Sequence, residues 1–408
     1  MSKILGIISE YNPFHNGHLY HLNESKKIVD PDYTIAIMSG NFVQRGNTAI
    51  IDKWGRAEMA LRAGVDLVIE LPTLYSISSA ENFATGCIKI LNSLKMDTTL
   101  SFGSECGDMS ILQKCADILL DEPPEYVSIL KHELDKGLSF PKARENALMM
   151  YLNDIRKYAN VLSGSNNILG IEYLKAMKET KSKISAVTVK RVGTDYNSVE
   201  TLNEFASATA IREMLMKNAD VSKLLPKASY NVLLNRLKYG QVVTDVSKFE
   251  KEILFKLRTM TLEEISELQD VSEGLENKIK EAANSCNNLE DLILMIKSKR
   301  YTQTRINRIL LYALLDITKE DIQEAFKTTS YIRVLGSNDH GRRLLSELVK
   351  KNKRLPVVTS VKRFEDRNNN KVLKMMLEKD ILATNIYTLG YESNSKANLD
   401  YTKKMIAL

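Results

Sequence analysis

At 408 residues the chain is too long for one ordinary core, and two or three domains of roughly 100–200 residues are expected. Its 44% hydrophobic and 26% charged residues are those of a soluble globular protein, and no apolar run approaches the ~18–20 residues that span a bilayer, so no membrane partner is expected. The 57 lysines and arginines against 51 aspartates and glutamates leave a net charge of +6, which permits a nucleic-acid partner without requiring one.

Met1 to Ile8 is too short for a secretory signal and runs directly into Ser9-Glu10. Within it, Ile4-Leu5-Gly6-Ile7-Ile8 reads as a short buried strand. A polar turn with Pro13 and Gly17 follows, then a helix from near Gly17 to about Val29. Asp32 to Met38 reads as a second strand, stopped by Ser39-Gly40, and Lys53 to Ala63 as a helix. Val65 to Pro72 is a third strand and Thr98 to Phe102 a fourth. Short apolar strands separated by helices predict a parallel, Rossmann-like α/β sheet over residues 1–216, with any ligand beyond the carboxyl ends of the strands. Residues 217–330 change character: helical periodicity runs through 249–255, 262–268, 289–296 and 306–315, with little strand pattern, and predicts a helical domain. Tyr331 to Gly336 returns to a strand, 342–352 is a basic helix and Leu355 to Ser360 another strand, so 331–408 is expected to form a small α/β element. The four cysteines, Cys87, Cys106, Cys115 and Cys286, are irregularly spaced with no CxxC pair, which fits reduced thiols in a cytoplasmic protein.

Two places carry chemistry. His15-Asn16-Gly17-His18 follows the first strand and opens a helix, where backbone N–H groups and the helix dipole face an anion. The imidazoles can donate to phosphate oxygens as charge develops, and Gly17, without a Cβ, would let a base or ribose approach the backbone. Two alternatives stay open: a zinc site built from His15, His18 and His21, and a loop that merely caps the helix. The second place is Ser207-Ala208-Thr209-Ala210-Ile211-Arg212, where Ser207, Thr209 and Arg212 would form another phosphate corner at a helix start. An ordinary N-cap by Ser207 or Thr209 is the competing explanation.

The His-x-Gly-His loop and the Ser-x-Thr-x-Ile-Arg stretch together resemble the HIGH-motif nucleotidyltransferase superfamily, which includes cofactor adenylyltransferases, pantothenate synthetase and class I aminoacyl-tRNA synthetases. Longer motifs resemble one branch, the bacterial tRNA(Met) cytidine acetate ligases. These are Glu10-Tyr11-Asn12-Pro13-Phe14-His15-Asn16-Gly17-His18, Met38 to Gly46, Lys53-Trp54-x-Arg56-Ala57-Glu58-Met59-Ala60 and Phe102-Gly103-Ser104-Glu105. Asn166-Asn167-Ile168-Leu169-Gly170, Val189-Lys190-Arg191 and Arg300 to Ile306 extend the likeness from residue 1 to beyond 390. Ser165 and Asn41 stand where that family often has proline, which implies only local changes of loop.

The resemblance implies activation of acetate by ATP, with release of pyrophosphate, and transfer of the acetyl group to N4 of the wobble cytidine of elongator tRNA(Met). It implies an ATP site of Ile7, Ile8, Ser9, Glu10, Tyr11, Asn12, Pro13, Phe14, His15, Asn16, Gly17, His18, Leu19 and Tyr20, completed by Gly103, Asn166, Asn167 and Arg191. His15 and His18 would hold the α- and β-phosphates as catalytic groups, Arg191 and Arg212 would be further cations, and Mg2+ is expected with the triphosphate. Glu10 and Glu105 lie near these loops, as ligand-binding or structural carboxylates.

For the RNA partner, Lys297, Lys299, Arg300, Tyr301, Arg305 and Arg308 form a basic run in which cations would take phosphates and the tyrosine would stack on an unpaired base. A solvated helix start is the plain alternative, as it is for Lys350-Lys351-Asn352-Lys353-Arg354. A small-molecule adenylyltransferase would use both phosphate corners but leave 217–408 without a task. A noncatalytic RNA-binding protein would not need intact histidines, glycine and Ser-x-Thr-x-Ile-Arg.

Overall fold

Ile4 to Ile8 places apolar side chains on both faces of a strand, so that strand must be covered from both sides. A computed structural model, describing residues 2–192, 205–272, 274–298, 300–352 and 356–408, sets it at the centre of an eight-stranded sheet. Strands β1 (Lys3–Ser9), β2 (Tyr33–Ser39), β3 (Leu67–Leu71), β4 (Asp97–Ser104) and β5 (Ser185–Lys190) are parallel, in the order β3-β2-β1-β4-β5. Order reverses at β1, so the loops leaving β1 and β4 diverge and open a crevice at their carboxyl ends. Helix α1 (Asn16–Val29) returns from β1, and α2 (Lys53–Arg62) lies between β2 and β3 in sequence. Gly6 lets α3 (Ala80–Leu94) approach β1: a Cβ there would stand 3.1 Å from Leu91 Cδ2.

The four strands expected in the first hundred residues are present. The fifth, β5, escaped the sequence reading although Ala186-Val187-Thr188-Val189 is rich in β-formers. Between β4 and β5 the chain is helical, ending in α4 (Ser165–Glu179), which packs on α3.

Residues 331–408 are bound into the first sheet. Strand β6 (Ile332–Ser337) lies antiparallel to β3, and the two-residue strands β7 (Val357–Val358) and β8 (Ile406–Ala407) pair with the opposite edge of β6. Leu355, the expected start of β7, lies outside the described residues, as do Lys353 and Arg354 of the second basic cluster. Buried ions join β6 to the sheet. Lys53 bonds Glu70 at 2.7 Å and Asp400 at 2.8 Å, while Arg333 bonds Glu70 at 3.1 Å and also Asp400. All four groups are buried, and Asp380 lies in the same cluster, its carboxyl pushed up to about 6 by burial and by Glu70. Residues 217–330 form helices joined by loops where described, with one isolated bridge between Leu268 and Thr318. Helix α5 (Ala208–Met216) leads into this region, and α6 (Lys227–Lys238) packs on α2. One apolar cluster runs from Ile4 through Leu310 to Tyr391, so the helical region and the chain's end share the sheet's core. Among the described residues no helix is long and apolar enough to cross a membrane.

Removing one member of the buried ion set strands charge. Asp400→Ala is expected to lower unfolding stability by about 3–5 kcal/mol in urea titration. A loss below about 1 kcal/mol would mean the four groups do not hold β6 in place.

Candidate nucleotide site at the carboxyl edge of the sheet

After Ser9 the chain turns through Tyr11, whose φ is 46°, and enters α1 with His15 at the N-cap. The two histidines cap this helix reciprocally. His15 Nδ1 accepts from the Gly17 N–H at 3.0 Å, and His18 Nδ1 accepts from the His15 N–H at 3.2 Å. Their rings stack with centroids 3.8 Å apart. A Cβ at Gly17 would lie 2.9 Å from His15 Cε1, so the glycine makes room for that imidazole. Each Nδ1 uses its lone pair as an acceptor, which leaves the proton of the neutral ring on Nε2. Burial, then the charges of Arg191 and Arg212, bring His15 down to about 3. Burial, then His15 and Arg191, hold His18 well below the ordinary imidazole range, against an opposing hydrogen bond with the Pro13 backbone. For His15, capping and phosphate recognition are therefore compatible: Nδ1 caps, and Nε2–H remains a donor. His21 does not complete a metal triad; its Nε2 lies 3.2 Å from the Ser101 hydroxyl and 3.4 Å from that of Ser25.

Neighbouring elements pin this loop from outside. Asn12 Oδ1 accepts from Ile50 N–H at 2.7 Å and its Nδ2 donates to Thr48 O at 3.2 Å. Arg56 on α2 donates to the carbonyls of Glu10 at 2.7 Å and Ser39 at 3.0 Å, and also to that of Gly40. From α5, Arg212 reaches Asn12 O at 2.8 Å and Thr209 Oγ1 at 3.1 Å. Ser207 is the cap of α5, its hydroxyl accepting from Ala210 N–H at 3.1 Å. Ser207 thus caps α5, while Arg212 brings its guanidinium to the loop that follows β1.

On the other side of β1, Glu105 accepts from the Asn166 amide at 2.7 Å and from the N–H groups of Asn166 and Asn167 at 3.1 and 2.7 Å. Burial raises this carboxyl, but those hydrogen bonds outweigh it and hold the group below the usual range. Glu105 is therefore the anchor of α4. Asn167 returns the contact, its Oδ1 accepting from the N–H of Glu105 at 2.9 Å and of Cys106 at 3.1 Å. Arg191 lies 3.4 Å from Asn166 Oδ1.

These groups enclose one cavity of about 890 Å³. Of the expected ATP set, Ile7 to Asn12, His15, Gly17, His18, Tyr20, Gly103, Asn166 and Arg191 line it, as do Ser207, Thr209 and Arg212. Pro13, Phe14, Asn16, Leu19 and Asn167 do not; Phe14 is in the core, and Asn16 donates to Lys223 O at 2.8 Å. The sequence reading missed the wall formed by Gln44, Arg45 and Asn47 and by Phe83, Phe102 and Tyr173. It also missed Gln303, Thr304 and Asn307 at the start of α7 (Gln303–Leu314).

Part of the basic run is turned inward. Tyr301 is buried, and its hydroxyl donates to Ser272 O at 3.3 Å, so it does not offer a stacking face at the surface. Arg305 lies over that ring, 5.0 Å from its centroid, and donates twice to Asp270 O at 2.9 and 2.6 Å. Arg308 pairs with Asp270 at 2.9 Å. The turn at Asp270 points carbonyl and carboxylate inward, and planar guanidinium groups satisfy both. Lys297 and Arg300 are exposed, and Lys299 lies outside the described residues.

A family model described as HIGH Nucleotidyl Transferase matches residues 2–402. Proteins named tRNA(Met) cytidine acetate ligase from Thermoanaerobacter sp. (strain X514) and Caldanaerobacter subterraneus subsp. tengcongensis are 47% and 48% identical, over 99% and 100% of this chain and 100% of theirs. A crystal structure of Thermotoga maritima TmcAL bound with alpha-thio ATP matches with a TM-score of 0.90 at 36% identity, covering 100% of this chain and 99% of that one. The fold and site thus define a nucleotidyl transferase of the HIGH class. Within that class, the chain belongs to the tRNA(Met) cytidine acetate ligase family.

Neutral burial of His15 has a measurable cost in acid. The unfolded ring takes up a proton near pH 6.5 and the folded ring only near 3, so this contribution to stability is whole above about 6.5 and is lost as pH falls. Between wild type and His15→Gln, the difference in unfolding free energy is expected to shrink by up to about 1.4 kcal/mol per pH unit below 6.5. Parallel urea-derived stabilities from pH 7 to about 5 would contradict a buried neutral ring.

Proposed function

We propose that this chain activates acetate with ATP and transfers the acetyl group to N4 of the wobble cytidine of elongator tRNA(Met). The observation that carries this reading is the cavity itself, where two neutral imidazoles and the guanidinium groups of Arg191 and Arg212 converge at a helix start. The names of the related proteins and the ATP analogue held by the Thermotoga maritima relative support it.

ATP would enter as its magnesium complex, the metal adding charge neutralisation at the phosphates. An acetate oxygen attacks the α-phosphorus, the bond to the β-phosphate oxygen breaks, and pyrophosphate departs with that electron pair. Charge builds on the equatorial oxygens of the α-phosphate and on the leaving group. His15 and His18 meet it with donors already in place, and Arg191 and Arg212 with fixed positive charge. Little covalent help is required, because alignment and charge neutralisation supply most of the acceleration. The product is a mixed anhydride, which the cytidine amine then attacks.

Labelled pyrophosphate exchange into ATP, with and without acetate and followed by addition of tRNA, tests the reading. Exchange that requires acetate, then acetylated cytidine, is expected; exchange indifferent to acetate would point to a small-molecule adenylyltransferase and sink it. His18→Ala is expected to lower exchange by about 10²–10³-fold and leave tRNA affinity nearly unchanged. Loss of tRNA binding in that variant would contradict the separation of the two tasks.

A further inference from the structure

One stretch of the cavity wall comes from outside the parallel strands. The first turn of α7 contributes Gln303, Thr304 and Asn307. That turn is fixed against the hairpin following β2, made of Phe42–Val43 and Asn47–Thr48. At Gly46, in the bend of the hairpin, φ is +73° and a Cβ would stand 2.5 Å from Arg308 N and 2.7 Å from Asn307 Cβ. The hairpin is tied in turn to the nucleotide loop: Gln44 N–H donates to Glu10 Oε1 at 3.1 Å, and Asn12 holds Thr48 O. Gly103, Asn166 and Arg191 belong to the β4 and β5 side of β1; α7 closes the β2 side.

The chemistry of this wall differs from the rest. A triphosphate or a carboxylate calls for cations, whereas Gln303 and Asn307 offer uncharged amides and Thr304 a hydroxyl. Amides both donate and accept, which suits the edge of an unpaired base. The side-chain carbonyl oxygen of Asn307 is buried and has no hydrogen-bond partner. The cations of the same run, Arg305 and Arg308, are turned inward onto Asp270 and fix the start of α7, while Lys297 and Arg300 lie exposed beside it.

We propose that Gln303, Thr304 and Asn307 form the subsite that receives the acceptor cytosine, reading its Watson–Crick edge and presenting its exocyclic amine to the acyl group. This inference rests on the acetate-ligase reading above. In the transfer step N4 forms a bond to the acetyl carbon, and the bond from that carbon to the AMP phosphate oxygen breaks. The electron pair stays on the phosphate, and the amine proton passes to solvent. A wall on the β2 side brings the base to the acyl group without displacing adenosine from the β4 and β5 side.

The two half-reactions separate the test. Gln303→Ala, Thr304→Val and Asn307→Ala in the full chain are each assayed for acetate-dependent pyrophosphate exchange. They are also assayed for transfer of labelled acetate to an unmodified tRNA(Met) transcript, and for binding of transcripts carrying cytidine or uridine at the wobble position. Exchange within about twofold of wild type is expected, with transfer kcat/KM down by about tenfold to a hundredfold and the preference for cytidine reduced. Normal exchange with unchanged transfer and unchanged preference would overturn the subsite alone. Exchange lost together with transfer would place these residues in the activation step and also overturn it. Acetate-independent exchange in the wild type would overturn the parent reading, and the subsite with it. Gln303, exposed on α7, keeps the test decisive should the Asn307 variant fail to fold.

Discussion

The site depends on one local arrangement, the reciprocal cap that His15 and His18 place on the start of α1. A helix start leaves backbone N–H groups without partners, and the usual remedy is a short hydroxyl or carboxylate side chain. Here two imidazoles do that work through Nδ1. A carboxylate cap would satisfy the same N–H groups but repel a triphosphate. An imidazole satisfies them with one nitrogen and keeps a donor on the other, and Gly17 is what lets the ring lie against the backbone. Burial, with Arg191 near both rings and Arg212 near His15, then keeps the rings neutral.

The rest of the chain holds that loop still. Arg56 gathers the carbonyls that follow β1 and β2, and Arg212 does the same from α5, each satisfying oxygens that a buried loop would otherwise leave bare. Further out, Lys53, Glu70, Arg333 and Asp400 lock the end of the chain onto β3, and α7 is carried to the cavity by its contact with the hairpin. The molecule therefore closes its site with residues separated by some three hundred positions in sequence, and the helical region is part of the wall.

Much of this was legible in the sequence where the physics is local. The apolar strands, the Gly-containing turn and the helix from the loop announced the sheet and the capped loop that lines the cavity, because strand burial and helix capping depend on neighbours a few residues away. Nonlocal packing was not legible. Tyr301, Arg305 and Arg308 read as an RNA-facing comb, yet their partners lie in the turn at Asp270, which no spacing discloses. Conversely, Gln303 and Thr304 sat inside a motif whose cations drew the reading, and only the hairpin's approach makes them and Asn307 part of the cavity. Strand β6 reads as a strand, but its place beside β3 depends on the buried charges of Lys53 and Glu70. Several motifs that marked the family, Lys53 and Arg56 among them, turn out to serve the scaffold of the site rather than to face its cavity.

Both histidines rest neutral, with Nδ1 accepting and Nε2 protonated, before any nucleotide arrives. Long-range proton–nitrogen correlation spectra of the histidine-labelled protein read this directly, since acceptor and protonated ring nitrogens resonate far apart. For His15 and His18 we predict an unprotonated Nδ1 and a protonated Nε2, unchanged between about pH 8 and 5. A proton on Nδ1, or a doubly protonated ring at neutral pH, would contradict the account.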